Sequence, residues 1–251
     1  MTFWQAFDKI NDMRIDKKHW LFNTPIAHRG LWNENIPENS ILAYKNAVNN
    51  GFAIEIDLFC STDGVLFSFH DDDLFRMTGK EGKIYQKDSA FIKSLTLNGT
   101  DQKIPTFRDV LFCVNGKVPI LIEIKNQPDE SIVERVLDEL FEYEGEYAIQ
   151  SFNPLYILKV KKIAPHIIRG VLGTSEKITT ISKFSNFVIK NCSLNFLIKP
   201  DFISYEKNSL KNVKKKAKNK ALLAWTVVTI NEQENALKLA NNVIFENYLP
   251  K

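Results

Sequence analysis

At 251 residues, 44% of them hydrophobic, the chain is long enough to bury the core of a single α/β barrel domain. Its 33 basic and 30 acidic side chains leave a net charge of +3, too even a balance to direct it to nucleic acid. Cys60, Cys113 and Cys192 form no paired spacing, no uninterrupted apolar signal core opens the chain and no run reaches the ~20 residues of a transmembrane helix, so a cytoplasmic, soluble protein is expected.

Residues 1–23 read as an N-terminal helical extension. Phe3, Phe7, Ile10 and Met13 recur at helical spacing with Trp4 beside them, which predicts a helix closing the bottom of a barrel. Its polar side holds acids as well as bases, so membrane contact is not expected.

Residues 24–251 alternate short apolar runs with helical patterns, the signature of βα units around a parallel sheet. Strands are predicted at Ile26–His28, Ala53–Phe59, Val65–His70, Ile120–Lys125, Tyr147–Ser151, Ile167–Leu172, Phe202–Tyr205, Leu222–Val227 and Val243–Phe245. Helices are predicted at Ser40–Asn50, Phe107–Val114, Glu130–Tyr143, Pro154–Ile163, Lys207–Lys218 and Glu232–Ala240. These are nine strands for an eightfold barrel. Only Ser61-Thr62-Asp63-Gly64 joins the second to the third, too little for a parallel crossover, so Val65–His70 is either a strand without a crossover helix or a hairpin arm. Residues 71–105 show no clear period and read as an insertion beside His70. The lysines from Lys211 to Lys220 read as a solvated helix face.

Four polar insertions interrupt these apolar runs: His28-Arg29-Gly30, Glu55-Ile56-Asp57, Phe69-His70-Asp71 and Glu123-Ile124-Lys125. Charge in a buried strand is costly and usually serves chemistry. Alternation puts Glu55 and Asp57 on one face, and Glu123 and Lys125 on one face, so that all four can meet at the C-terminal mouth of a barrel. Three carboxylates gathered there call for a cation, and oxygen ligands suit one hard divalent ion, Mg²⁺ or Ca²⁺. His28 and His70 each end a strand, and imidazole is a side chain suited to act as a general acid or base. Arg29 and Lys125 offer contacts for an anionic group such as a phosphate. Glu38 hangs over the mouth, either as a catalytic group or as an acid near the start of the first helix.

In this order and spacing the motifs resemble those of the glycerophosphodiester phosphodiesterases. The likeness runs through His28-Arg29-Gly30, Pro37-Glu38-Asn39-Ser40, Glu55-Ile56-Asp57, Thr62-Asp63-Gly64, Phe69-His70-Asp71 with Leu74, Arg76 and Thr78 after it, Glu123-Ile124-Lys125, Gln150-Ser151-Phe152 and Trp225-Thr226-Val227. It implies a TIM (β/α)8 barrel that hydrolyses a small-molecule phosphodiester to an alcohol and glycerol 3-phosphate with one bound divalent cation. On that reading Glu55, Asp57 and Glu123 are metal ligands, His28 and His70 the acid–base pair, and Arg29 and Lys125 the phosphate contacts. Glu38, Ser151, Phe152, Trp225 and Glu246 are candidates for the substrate pocket. The chain departs from the family pattern near its end, where Glu246-Asn247 stand in place of a Thr-Asp pair, and at Val228 in place of Asn. Two other readings stay open: a lysophospholipid or glycerol-phosphate polymer as substrate, and a silent barrel that binds a phosphodiester without cleaving it.

Overall fold

A computed structural model describes residues 15–179 and 181–250. Eight parallel strands close into a barrel: β1 (Ile26–Ala27), β2 (Ala53–Cys60), β4 (Ile120–Ile124), β5 (Tyr147–Ser151), β6 (Arg169–Gly173), β7 (Phe202–Glu206), β8 (Ala221–Val227) and β9 (Asn242–Phe245), with β9 pairing back onto β1. The ninth strand, β3 (Leu66–Ser68), pairs antiparallel to the end of β2. It is therefore the hairpin arm. Gly64, at φ 89°, lets the chain reverse, and Ser61 closes the turn by donating its backbone N–H to Val65 O over 2.9 Å.

The pleat divides each strand between two environments. Ile54, Ile56 and Leu58 of β2 and Ile120, Ile122 and Ile124 of β4 point outward into the main core, against helices that include Ile41–Asn49, Phe107–Val114, Ile132–Leu140 and Pro154–Ile163. The inward positions form two layers. At the N-terminal end, Ile26, Ala53, Leu121, Ala148, Phe202, Ala221, Leu223 and Ile244 fill the barrel with apolar side chains. One inward step further along the strands lie His28, Glu55, Glu123, Gln150, Ser204, Trp225 and Glu246. A dry plug thus supports a polar mouth.

Phe202 is the largest member of the plug and needs space on the neighbouring strand. Its register partner on β6 is Gly170, where a Cβ would stand 2.2 Å from the Phe202 ring. Below the plug, Ile15 and the single-turn helix Trp20–Asn23 pack on the same apolar layer. Asn242 ties that turn down by donating from Nδ2 to Thr24 O over 2.7 Å. The predicted stripe of Phe3, Phe7, Ile10 and Met13, with Trp4, lies outside the described residues.

The insertion at residues 71–105 carries the short helices Phe75–Thr78 and Ser89–Ser94 and the 3₁₀ turn Ile84–Gln86. Leu74, Met77, Ile84, Ile92, Leu95, Leu97 and Ile104 pack with Phe59, Phe67 and Phe69 into a separate apolar cluster. These elements span six residues or fewer, too short to show a period. The helix predicted at Lys207–Lys218 shrinks to a 3₁₀ segment, Lys207–Asn212, kinked at Ser209. Between β6 and β7 lie two helices, Lys183–Asn191 and Asn195–Ile198, that the pattern did not signal because Phe184, Phe187 and Phe196 face solvent and blur the apolar stripe. Among the described residues the three cysteines are free, and no helix is long and apolar enough to cross a membrane.

Candidate active site

The mouth is built around three carboxylates. Glu55 and Asp57 share the inward face of β2, and the β2–β4 register sets Asp57 opposite Glu123. All three are buried, and one oxygen from each lies within 4.8 Å of the others. Their surroundings differ. Asp57 accepts from Asn39 Nδ2 over 3.1 Å and has Lys125 Nζ at 3.4 Å and Arg29 Nε at 3.8 Å. Burial opposes its ionisation, but Lys125, His70, Arg29 and His28 outweigh burial and hold its pKa below the ordinary carboxylate value. Glu123 takes Lys125 Nζ at 2.9 Å. Burial works to lower the pKa of Lys125, and the charges of Glu123 and Asp57 outweigh it, so the pKa is raised.

Among the described residues no side-chain cation forms an ion pair with Glu55, which accepts a hydrogen bond from the backbone N–H of Arg29 at 3.1 Å. Burial, then the charges of Asp57 and Glu123, push its pKa well above the ordinary value. An oxygen-only donor set with a frustrated third carboxylate fits a hard divalent cation, which would relieve the repulsion.

Two histidines flank the cluster, each with a carboxylate on Nδ1. His28 Nδ1 stands 2.7 Å from Glu246 Oε2, and His70 Nδ1 stands 2.6 Å from Asp71 Oδ1. Burial lowers the pKa of His28, and the bond to Glu246 works against that. Asp71 also accepts from Arg76 Nε, and its pKa sits below the ordinary value because the bonds to His70 and Arg76 overcome its burial.

Ser40 caps the helix Ile41–Asn49, its hydroxyl accepting from Ala43 N, and the Glu38 carboxylate lies instead between two guanidiniums. Glu38 accepts from Arg29 Nη1 at 2.8 Å and from Arg76 Nη2 at 2.6 Å. Burial would raise its pKa, and the two guanidiniums outweigh that and lower it. Arg29 keeps its Nε buried without a hydrogen-bond partner, and its backbone, at φ 59°, turns sharply where β1 ends.

On the far rim, Phe152 and Trp225 meet edge to face at 5.7 Å between centroids. Ser151 Oγ donates to Ile124 O over 2.6 Å and accepts from Asn153 N, which engages its proton and one of its lone pairs. Sequence reasoning quoted Asn39, Asp71 and Arg76 within motifs but gave them no role in the site, and it did not reach Tyr44 and Ser68. Asn39 Oδ1 accepts from Tyr44 Oη at 2.7 Å and from Ser68 Oγ at 3.0 Å, which aims its amide at Asp57. These residues come from separate elements, and only the fold joins them to the site.

Comparison with known proteins gives concordant results. Residues 28–249 match a model of the "Glycerophosphoryl diester phosphodiesterase family". Over 160 residues, 58% of this chain, it is 34% identical to the "Uncharacterized protein YqiK" of Bacillus subtilis, and over 161 residues, 59% of this chain, 32% identical to a "Glycerophosphodiester phosphodiesterase" of Caldanaerobacter subterraneus subsp. tengcongensis. The chain spans 65% of the length of each of these two relatives. An Oleispira antarctica phosphodiesterase, solved in complex with the product sn-glycerol-3-phosphate, shares the fold with a TM-score of 0.73 at 23% identity, covering 89% of this chain and 93% of that one. With the family match running through the barrel and every motif at its mouth, this chain belongs to the glycerophosphoryl diester phosphodiesterase family.

Proposed function

We propose that this protein hydrolyses glycerophosphodiesters to an alcohol and sn-glycerol 3-phosphate. The observation that carries the reading is the buried trio Glu55, Asp57 and Glu123, with oxygens within 4.8 Å of one another and a histidine on either side. Family membership and the product bound in the Oleispira antarctica structure support it.

Glu55, Asp57 and Glu123 would hold one divalent cation, Mg²⁺ or Ca²⁺, because all three ligands are hard oxygens. Bound there, the cation would offset the charge of the phosphodiester and of the transition state. Arg29, whose Nε makes no hydrogen bond among the described residues, and Lys125 hold the phosphate. Of His28 and His70, one takes a proton from the attacking nucleophile and the other gives one to the leaving alkoxide. The two Nδ1 carboxylates leave each ring to work through Nε2. Phe152 and Trp225 flank the alcohol half of the substrate. The barrel domain is read as beginning at residue 24, and the free cysteines support a reducing, cytoplasmic setting.

Purified protein should release glycerol 3-phosphate from glycerophosphocholine with Mg²⁺ or Ca²⁺ and stop when chelator is added. Undiminished turnover by His70→Ala would refute the assignment. A lysophospholipid is the second reading, favoured by the exposed Phe184 and Phe187 on the helix after β6. Faster turnover of lysophosphatidylcholine than of glycerophosphocholine would establish it.

A further inference from the structure

Glu246 enters the mouth from the strand that closes the barrel. β9 pairs in parallel with β1, and the register runs on past both strands: His28 N donates to Phe245 O over 2.9 Å, while Glu246 N donates to Val227 O over 3.0 Å. The backbone thereby sets Glu246 against His28 before either side chain chooses a rotamer. Their side chains are 19% and 14% exposed, and Oε2 meets Nδ1 at 2.7 Å. Both positions are followed by a left-handed residue, Asn247 at φ 63° and Arg29 at φ 59°, so the chain turns away and leaves the pair at the rim. Among the described residues Glu246 has no second side-chain hydrogen bond, whereas Asp71, the corresponding partner of His70, divides its charge between His70 and Arg76.

We propose that Glu246 is the positioning residue of His28, fixing its ring with the proton on Nδ1 so that Nε2 is the nitrogen that exchanges protons with the substrate. This rests on the role of His28 given above. A neutral imidazole carries its proton on either nitrogen, and an ionised carboxylate on Nδ1 tolerates only the tautomer with a proton there. The same contact stops the ring from turning over. Glu246 touches no reacting atom; its effect passes through His28. That explains why a carboxylate can stand here where the sequence departs from the family pattern: the β1–β9 register aims position 246, and not Asn247, at the histidine.

The test uses the full chain with Mg²⁺ or Ca²⁺ and glycerophosphocholine, and compares wild type, Glu246→Ala, His28→Ala and the double variant. Glu246→Ala should lower kcat roughly 10²-fold with KM changed less than about threefold. In the His28→Ala background the same change should have no further effect on kcat, because the residue it acts through is gone. An additional loss in that background, of the size seen in the wild type, overturns the proposal and makes Glu246 a direct substrate contact. Wild-type kcat in Glu246→Ala overturns it as well. Independently of turnover, ¹⁵N ring shifts of His28, assigned with His28→Ala, should report Nδ1–H in the wild type and a mixture of tautomers in Glu246→Ala; Nε2–H in the wild type refutes the geometry. Full activity of His28→Ala would instead remove the underlying role of His28, an outcome distinct from an inactive His28→Ala beside an unimpaired Glu246→Ala.

Discussion

Glu55→Gln should have opposite effects in chelator and with the cation bound. Glu55 is buried, its oxygen lies within 4.8 Å of those of Asp57 and Glu123, and its recorded hydrogen bond is from one backbone N–H. At 4.8 Å, with an effective dielectric near 20, each like-charge pair costs about 3.5 kcal/mol. Taking up a proton avoids that repulsion, and at pH 7 the proton has to be drawn from solution by a group whose ordinary pKa is 4.5. At ~1.4 kcal/mol per pH unit, this limits the penalty at pH 7 to about 3.4 kcal/mol.

The sign follows from proton counting. Because the folded-state pKa is raised, the native protein binds a proton that the unfolded chain has released, so stability falls as pH rises above 4.5. Urea unfolding in chelator should therefore find Glu55→Gln more stable than wild type by roughly 1–3 kcal/mol at pH 8, with the two nearly equal at pH 5. Adding Mg²⁺ or Ca²⁺ should stabilise the wild type, more at pH 8 than at pH 5, and should do far less for the variant, which would also lose turnover. A variant less stable than wild type in chelator at pH 8 would refute the reasoning, since it would mean that Glu55 is ionised and satisfied by the protein alone.

Asn39→Ala removes the amide that donates to Asp57 Oδ2, and should weaken Mg²⁺ or Ca²⁺ binding about 10–100-fold by calorimetry, whereas Asn39→Gly, which accepts the φ of 53° more readily, separates lost hydrogen bonding from backbone strain. If both bind the ion as the wild type does, Asn39 does not orient Asp57. Gly170→Ala puts a methyl 2.2 Å from the Phe202 ring and should cost ~1–3 kcal/mol, a fall of several degrees in Tm with kcat little changed, because the clash lies in the apolar plug below the mouth. Pairing it with Phe202→Leu should recover part of the loss; an unshifted Tm for the single variant would show that the barrel interior is looser than the packing indicates.

Much of the site was legible because strands write it in period two. Glu55 and Asp57, or Glu123 and Lys125, lie two apart in apolar runs, and that spacing alone puts each pair on one face. The eight barrel strands were legible for the same reason, being short, apolar and separated by helical patterns. Of the residues read as helix caps, Thr106 bonds Asp109 N and Asn153 bonds Leu155 N, whereas the places expected for Asn39 and Asn231 are taken by Ser40 and Thr229. What could not be read has no local pattern: the miniature core of residues 71–105 draws on Phe59 and Phe67 of the β2–β3 hairpin, and Glu38 looked like a helix-end acid until Arg76, 38 residues later, came within reach.

The sequence by itself determined the eightfold alternation, the faces on which charged residues stand, and thus the inventory of three carboxylates, two histidines and two cations at one end of a barrel. Tertiary structure decided which of them meet. Asp57 and Glu123 are neighbours because β2 pairs with β4 across the excursion of residues 66–106, and His28 meets Glu246, 218 residues away, because closing the barrel sets β9 beside β1. Composition and periodicity act over a few residues and fix what each segment is; register between distant strands depends on packing the whole interior, and it is register that turns separate charges into one site.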